Sequence, residues 1–219
     1  MLKQQRLDNL SDGIFAIVMT LLVLEIKVPE LVHSVSENTL VHSLIDSLPL
    51  LISYFLSFTL LYVYWRGQHY ISSVFAHNLD NRLTSINAVF LLLIGLVPFS
   101  THFLGLYTFS QTAIILYGAH MLLISITLLW MRVHVRDSKE IENEPIDKKT
   151  DSRGMMRIVM PGVMALLAIA FSFLNTFLSL IIFAAAIFFN LSNSDAKWLN
   201  NIFDHITHNI INKKYLKRK

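Results

Sequence analysis

The chain has 219 residues, of which 54% are hydrophobic and only 15% charged, with a net charge of +3. Soluble domains carry about a quarter charged residues, so this balance excludes an ordinary water-soluble fold and predicts an all-α integral membrane protein. At about 20 residues per span the length has room for five to seven helices, and the absence of cysteine excludes a disulfide framework.

The first apolar segment, residues 8–29, is uncharged from Gly13 to Leu24, opens with Ser11-Asp12 and closes with Glu25 and Lys27. Ionisable groups at the edge of a span carry a functional prior. At about 100° per residue, Ile17, Leu21 and Leu24 share one stripe, with Thr20 about 60° to its side. Asp12 lies about 140° round from Ile17, over Ala16, Met19 and Val23, so the acid and the stripe meet different neighbours. Lys3 and Arg6 give the segment a signal-peptide-like start, but Asp12 interrupts the junction and no small-x-small site follows Leu24. A retained first helix is expected.

Residues 30–43 read as a polar loop, with a helix start near Ser43 or Ser47. The second span, residues 45–66, takes Pro49 in its first turns, and Tyr62, Tyr64 and Trp65 suit an interfacial belt. Its helix continues toward His69. The third span, residues 83–106, holds Asn87, which must be bonded within protein, and Pro98, which kinks or ends it. Residues 112–131 make the fourth span, with Gly118 and His120. A charged cytoplasmic loop is expected over residues 132–157.

Two short spans follow, residues 158–173, opening on Pro161-Gly162, and residues 176–190, joined by a turn at Asn175. In the tail, residues 193–219, Leu199, Ile202, Phe203, Ile206 and Ile210 recur at helical spacing before a basic run. That pattern predicts an amphipathic C-terminal helix at anionic lipid head groups. Six spans leave only Lys27, of 18 Lys and Arg residues, on the far side, so both termini are expected in the cytoplasm of a cell-membrane protein. Five spans would strand the basic tail outside. No internal repeat is visible: one six-helix unit, residues 1–192, precedes the tail.

Arg6, Ser11, Asp12 and Ala16 fit Arg-x-x-x-Phe-Ser-Asp-x-x-x-Ala, with Leu10 in place of Phe. Trp65 and His69 make Trp-x-x-x-His, Asp80 precedes Asn87 by seven residues, and Pro98-Phe99 closes the third span. Through these motifs residues 6–101 resemble the prokaryotic members of the transmembrane protein 175 family of endosomal and lysosomal potassium channels.

The resemblance implies a potassium-permeable cation channel lined by the first helix of each subunit. Ile17 would form the first apolar constriction layer and Leu24 the outer one, with Leu21 on the same stripe and Thr20 between them. A polar network of Arg6, Ser11, Asp12, Trp65, His69 and Asn87 would join the helices, with Arg6 as the charge partner of Asp12. Animal members carry two six-helix repeats, so a single-repeat chain is implied to form a homotetramer. K⁺ is the expected permeant ion, and the chain lacks the Thr-Val-Gly-Tyr-Gly filter of ordinary potassium channels.

On the residues alone, the Ile/Leu stripe reads as lipid contact or ordinary helix packing, and Ser11-Asp12 equally as a helix cap. His205 and His208 lack a third ligand, so no metal is expected, and His120 reads as hydrogen-bonded within the bundle. The chain has no His-Glu-x-x-His, Gly-rich phosphate loop or nucleophile elbow; neither an enzyme, a cofactor nor a nucleic-acid partner is expected. A proton-coupled carrier using Asp12 and His69 is the alternative, and a membrane scaffold the third reading.

Overall fold

The computed structural model describes residues 4–27, 36–76, 79–138, 141 and 148–191. Helix α1 covers Gln4–Leu21 and tightens into a single 3₁₀ turn, Leu22–Glu25. Ser36 caps α2, Glu37–Asp46, its hydroxyl accepting from the Thr39 amide at 3.3 Å. After Ser47, α3 runs from Leu48 to Tyr70 with Pro49 in its first turn, and a π-helical turn, Ile71–Phe75, follows.

Asp80 caps α4, Asn81–Gly95, by accepting the Leu83 amide at 2.6 Å. Helix α5, Val97–Leu106, starts on Pro98. Helix α6 spans Gln111–Asp137, α7 spans Lys148–Ser172 and α8 spans Thr176–Leu191. The α7–α8 turn is at Asn175, whose side-chain oxygen accepts from the Phe177 amide at 2.8 Å.

Among the described residues five helical segments are long and apolar enough to cross a membrane: Gln4–Glu25, Glu37–Ser73, Asn81–Leu106, Gln111–Asp137 and Gly154–Ser172. A shorter apolar helix, Thr176–Ala186, accompanies them. Several expected boundaries shift. Residues 37–43 are helix rather than loop, because the Ser36 cap supplies a start that the polar composition hid. Residues 132–137 belong to α6 rather than to the charged linker, and Arg132 is buried there. Pro161 lies inside α7, which begins at Lys148 instead of near residue 158. The amphipathic tail helix, residues 193–219, lies outside the described residues.

Pro98 splits the third span physically. It has no amide to donate, so the helix breaks at Leu96 and restarts as α5. The freed turn is held from α6: His120 Nε2 donates to the Leu93 carbonyl at 3.0 Å, and its Nδ1 lies 2.8 Å from Ser100 Oγ. His120 therefore staples the kink.

Helix α6 is the hub, packing against α3, α4, α5, α7 and α8. Its Tyr117 meets Ser57 on α3 at 2.9 Å, and Thr101 on α5 lies 2.7 Å from the same Ser57 hydroxyl. One turn on, Tyr64 donates to the Met121 carbonyl at 2.9 Å. Small residues allow the close crossings these bonds need: a Cβ on Gly105 would fall 2.6 Å from Ser53 Oγ and 3.1 Å from the Leu50 backbone.

The first helix and its polar anchor

Helix α1 divides lengthwise. Leu7, Ser11, Phe15, Val18 and Leu22 are buried, a spacing of four, four, three and four residues that keeps one face against the bundle. Phe15 packs on Phe90 of α4, ring centres 5.9 Å apart. The opposite face is bare: Ile17 is 59% exposed, Leu21 43% and Leu24 68%. Thr20 is exposed beside them, and its hydroxyl hydrogen is engaged by its own helix, 2.8 Å from the Ile17 carbonyl. Oxygen lone pairs on Thr20 remain as acceptors.

The buried face is keyed by one hydroxyl. Ser11 is fully buried and donates to the Leu7 carbonyl at 3.0 Å. In return its oxygen accepts from Gln68 Nε2 on α3 and Asn87 Nδ2 on α4, each at 3.3 Å. Three helices thus meet at one side chain. Without such pairing, a buried amide costs about 1–3 kcal/mol, so this knot fixes the rotation of α1 against its neighbours.

Asp12, one residue on, turns about 100° away to the exposed side. Its Oδ1 accepts from Trp65 Nε1 at 2.8 Å, and Trp65 stacks on His69 with ring centres 5.7 Å apart. Asp12, Trp65 and His69 therefore form a chain on the rim, separate from the Ser11–Gln68–Asn87 knot. Arg6 is exposed and makes no ion pair with Asp12. The six residues read as one network are in two groups, with Arg6 in neither. Gln68 had gone unnoticed. Its signal was in the buried stripe Ser57, Leu61, Tyr64, Gln68 of α3, four, three and four residues apart.

Just beyond the anchor, Gln4 Nε2 donates to the Ser72 carbonyl in the π turn after α3. The N-terminal end of α1 is thus tied to the turn that continues α3, the helix that carries Gln68. No group of three or more His, Cys, Asp or Glu side chains that could hold a metal occurs among the described residues.

These features define a multi-pass, all-helical membrane protein whose first helix is anchored on one face and bare on the other. The proteins that this chain resembles are membrane channels. The chain belongs to the TMEM175 family of endosomal/lysosomal potassium channels, whose description matches residues 6–98. It is 33% identical over 195 residues to a potassium channel of Chamaesiphon minutus, covering 86% of this chain and 94% of the relative. A potassium channel of a Chryseobacterium species is 30% identical over 121 residues, covering 55% of this chain and 59% of its own. The crystal structure of a lysosomal potassium-selective TMEM175 homolog from Chamaesiphon minutus superposes with a TM-score of 0.73 at 32% identity, covering 87% of this chain and 98% of that one. The family is one of channels, not enzymes.

Proposed function

We propose that this protein is a potassium-permeable cation channel of the cell membrane, assembled as a homotetramer in which the α1 helices surround the pore. The observation that carries the reading is the bare stripe of Ile17, Thr20, Leu21 and Leu24 on a helix otherwise fastened into the bundle. One copy cannot enclose a pore with one such helix; four copies about an axis turn the stripe into stacked rings. Family membership and the potassium channels it resembles support K⁺ as the permeant ion. In this reading residues 1–192 form a six-span channel unit, both termini are cytoplasmic, and residues 193–219 lie on anionic lipid.

The mechanism follows from desolvation. Ile17 and Leu24 offer a passing cation no oxygen to replace its water, so each ring is a barrier and a point of discrimination. Thr20, between them, offers a hydroxyl oxygen to a partly dehydrated ion. The Ser11 knot holds the stripe in register, and Arg6, Asp12, Trp65 and His69 line the inner rim. The carrier alternative needs a proton path from Asp12 to His69, and the Trp65 indole stands between them.

Replacing Ile17 by Asn places a polar, wettable group in the first ring. K⁺ current should rise and the reversal potential under bi-ionic K⁺ and Na⁺ should move toward zero. Coupled flux without unitary current steps would point to the carrier instead. An Ile17→Asn channel with the parent reversal potential would remove this face of α1 from the pore.

A further inference from the structure

We propose that Arg66 and the face of Tyr62 hold the head-group phosphate of an anionic phospholipid, at the membrane boundary where α3 ends. The site is separate from residues 193–219, and it stands whether or not α1 lines a pore.

Helix α3 has two faces. Ser57, Leu61, Tyr64 and Gln68 are buried in the bundle, whereas Ile52, Phe55 and Tyr62 are 62%, 64% and 38% exposed. The outer face passes from apolar through aromatic to cationic and ends on the half-buried Arg66. A lipid-facing helix shows this order as it leaves hydrocarbon for the interface and the head groups. The depth of Arg66 is set by α1. Trp65 beside it donates to Asp12, and the uncharged run from Gly13 to Leu24 begins one residue further on. Arg66 therefore stands at the edge of the hydrocarbon.

There the arginine has a platform but no counter-ion. Its guanidinium carbon lies 5.8 Å from the centre of the Tyr62 ring, and that ring is 5.8 Å from Trp65. Trp65 is fixed in turn by Asp12 and by stacking on His69. Among the described residues no carboxylate lies within ion-pair distance of Arg66. An aromatic face covers one side of the guanidinium plane and leaves its N–H edge open, and that edge fits two phosphate oxygens at once. A cation at this depth is stabilised by an anion, and the anion that a bilayer supplies at this level is a lipid phosphate. A zwitterionic head group sets its own ammonium against that phosphate, so a lipid of net negative charge is the better fit. Arg82, exposed at the start of α4, has neither aromatic platform nor ion pair among the described residues.

The test is native mass spectrometry of the purified protein released from nanodiscs that mix phosphatidylglycerol with phosphatidylcholine. The parent should retain phosphatidylglycerol in preference to phosphatidylcholine. One arginine near an anionic surface contributes a factor of about five, so Arg66→Gln should retain about fivefold less phosphatidylglycerol at sub-saturating lipid. Tyr62→Leu removes the platform and should lower retention too; it carries the test should Arg66→Gln fail to assemble. Arg82→Gln should retain as much as the parent. Phosphatidylglycerol should also raise the melting temperature of the parent above its value in phosphatidylcholine, and leave that of Arg66→Gln unmoved. Parent-like retention by Arg66→Gln or Tyr62→Leu overturns the site, as does an equal loss in Arg82→Gln, the mark of diffuse surface charge. A parent that retains phosphatidylcholine as well as phosphatidylglycerol overturns it as well. Displacement of the lipid by inorganic phosphate would make the ligand a soluble anion. An Arg66→Gln protein that keeps its lipid but separates into single subunits would give this face to a neighbouring copy.

Discussion

Helices α1 and α6 are both apolar enough to cross a membrane, yet they live in different surroundings. In the most apolar stretch of α1, 28% of the residues are buried, against 50% in α6. Helix α6 is packed on most of its circumference, from Ala113 to Val135, whereas α1 is fastened along one narrow face. Hydropathy is blind to this difference, because lipid, protein and an apolar pore wall all accept Leu and Ile. What separates the two helices is where their polar groups are satisfied. Tyr117 and Ser125 of α6 bond to Ser57 and Tyr64 of α3; α1 concentrates its cross-helix bonding in its N-terminal half and leaves one whole face bare.

The sharpest way to break that comparison is to truncate one side chain in each helix. Tyr117 is fully buried, bonded to Ser57 and set edge-on to Phe183 at 5.2 Å. Tyr117→Ala should cost about 3–5 kcal/mol, the range for losing a large ring from a packed core. Leu24→Ala should cost no more than about 0.5 kcal/mol, since a side chain that is mostly exposed leaves little cavity. Denaturation of the two proteins in the same detergent reads both. A Leu24→Ala loss as large as that of Tyr117→Ala would mean that the bare face is packed in the assembled protein, not open to a pore.

A smaller effect tests the anchor. Ser11→Ala strands the Gln68 and Asn87 amides and should destabilise the fold by about 1–3 kcal/mol. Asp12→Ala should cost less, because the Trp65 indole it leaves is at the surface, where water can replace the carboxylate. The order of the two in thermal unfolding is the check; an Asp12→Ala protein less stable than Ser11→Ala would put the anchor on the rim.

That expected order is not the one that charge alone would suggest, and the reason is geometric. Charge draws attention to Asp12, while a serine in an apolar run looks like filler. Yet one residue is about 100° of helix, and the buried stripe Leu7, Ser11, Phe15, Val18, Leu22 passes through the serine. The stripe of Ile17, Leu21 and Leu24 was legible from the same periodicity. The 3₁₀ turn, at about 120° per residue, then ends the α-helical count at Leu22. Pro98 announced the kink; His120 as its staple depends on two helices meeting, which no local pattern encodes. Helix α2 was hidden by its composition, although Ser36 marked its start.

The smallest expected effect concerns the far end of α6, where the hub reaches α4 through a titratable contact. His134 Nε2 lies 2.7 Å from Asp80 Oδ2, while the other carboxylate oxygen caps α4, the helix that carries Asn87. Burial acts to raise the Asp80 pKa, but the Leu83 amide and then His134 outweigh it, and the carboxyl stays ionised to lower pH than usual. A carboxyl whose pKa is lower folded than unfolded stabilises the fold fully above its ordinary value, about 3.9, and the stabilisation is lost as pH falls below that toward the folded value. Asp80→Asn keeps a capping oxygen and removes only the charge. The side chain is 37% exposed, so screening should hold the difference from the parent to below about 1 kcal/mol at neutral pH. Thermal melts of parent and Asp80→Asn should differ at pH 7, draw together below about pH 4, and draw together also in high salt. A gap that persists unchanged at pH 3 would assign the contribution of Asp80 to cap geometry alone, leaving α6 bound to α4 by packing and not by charge.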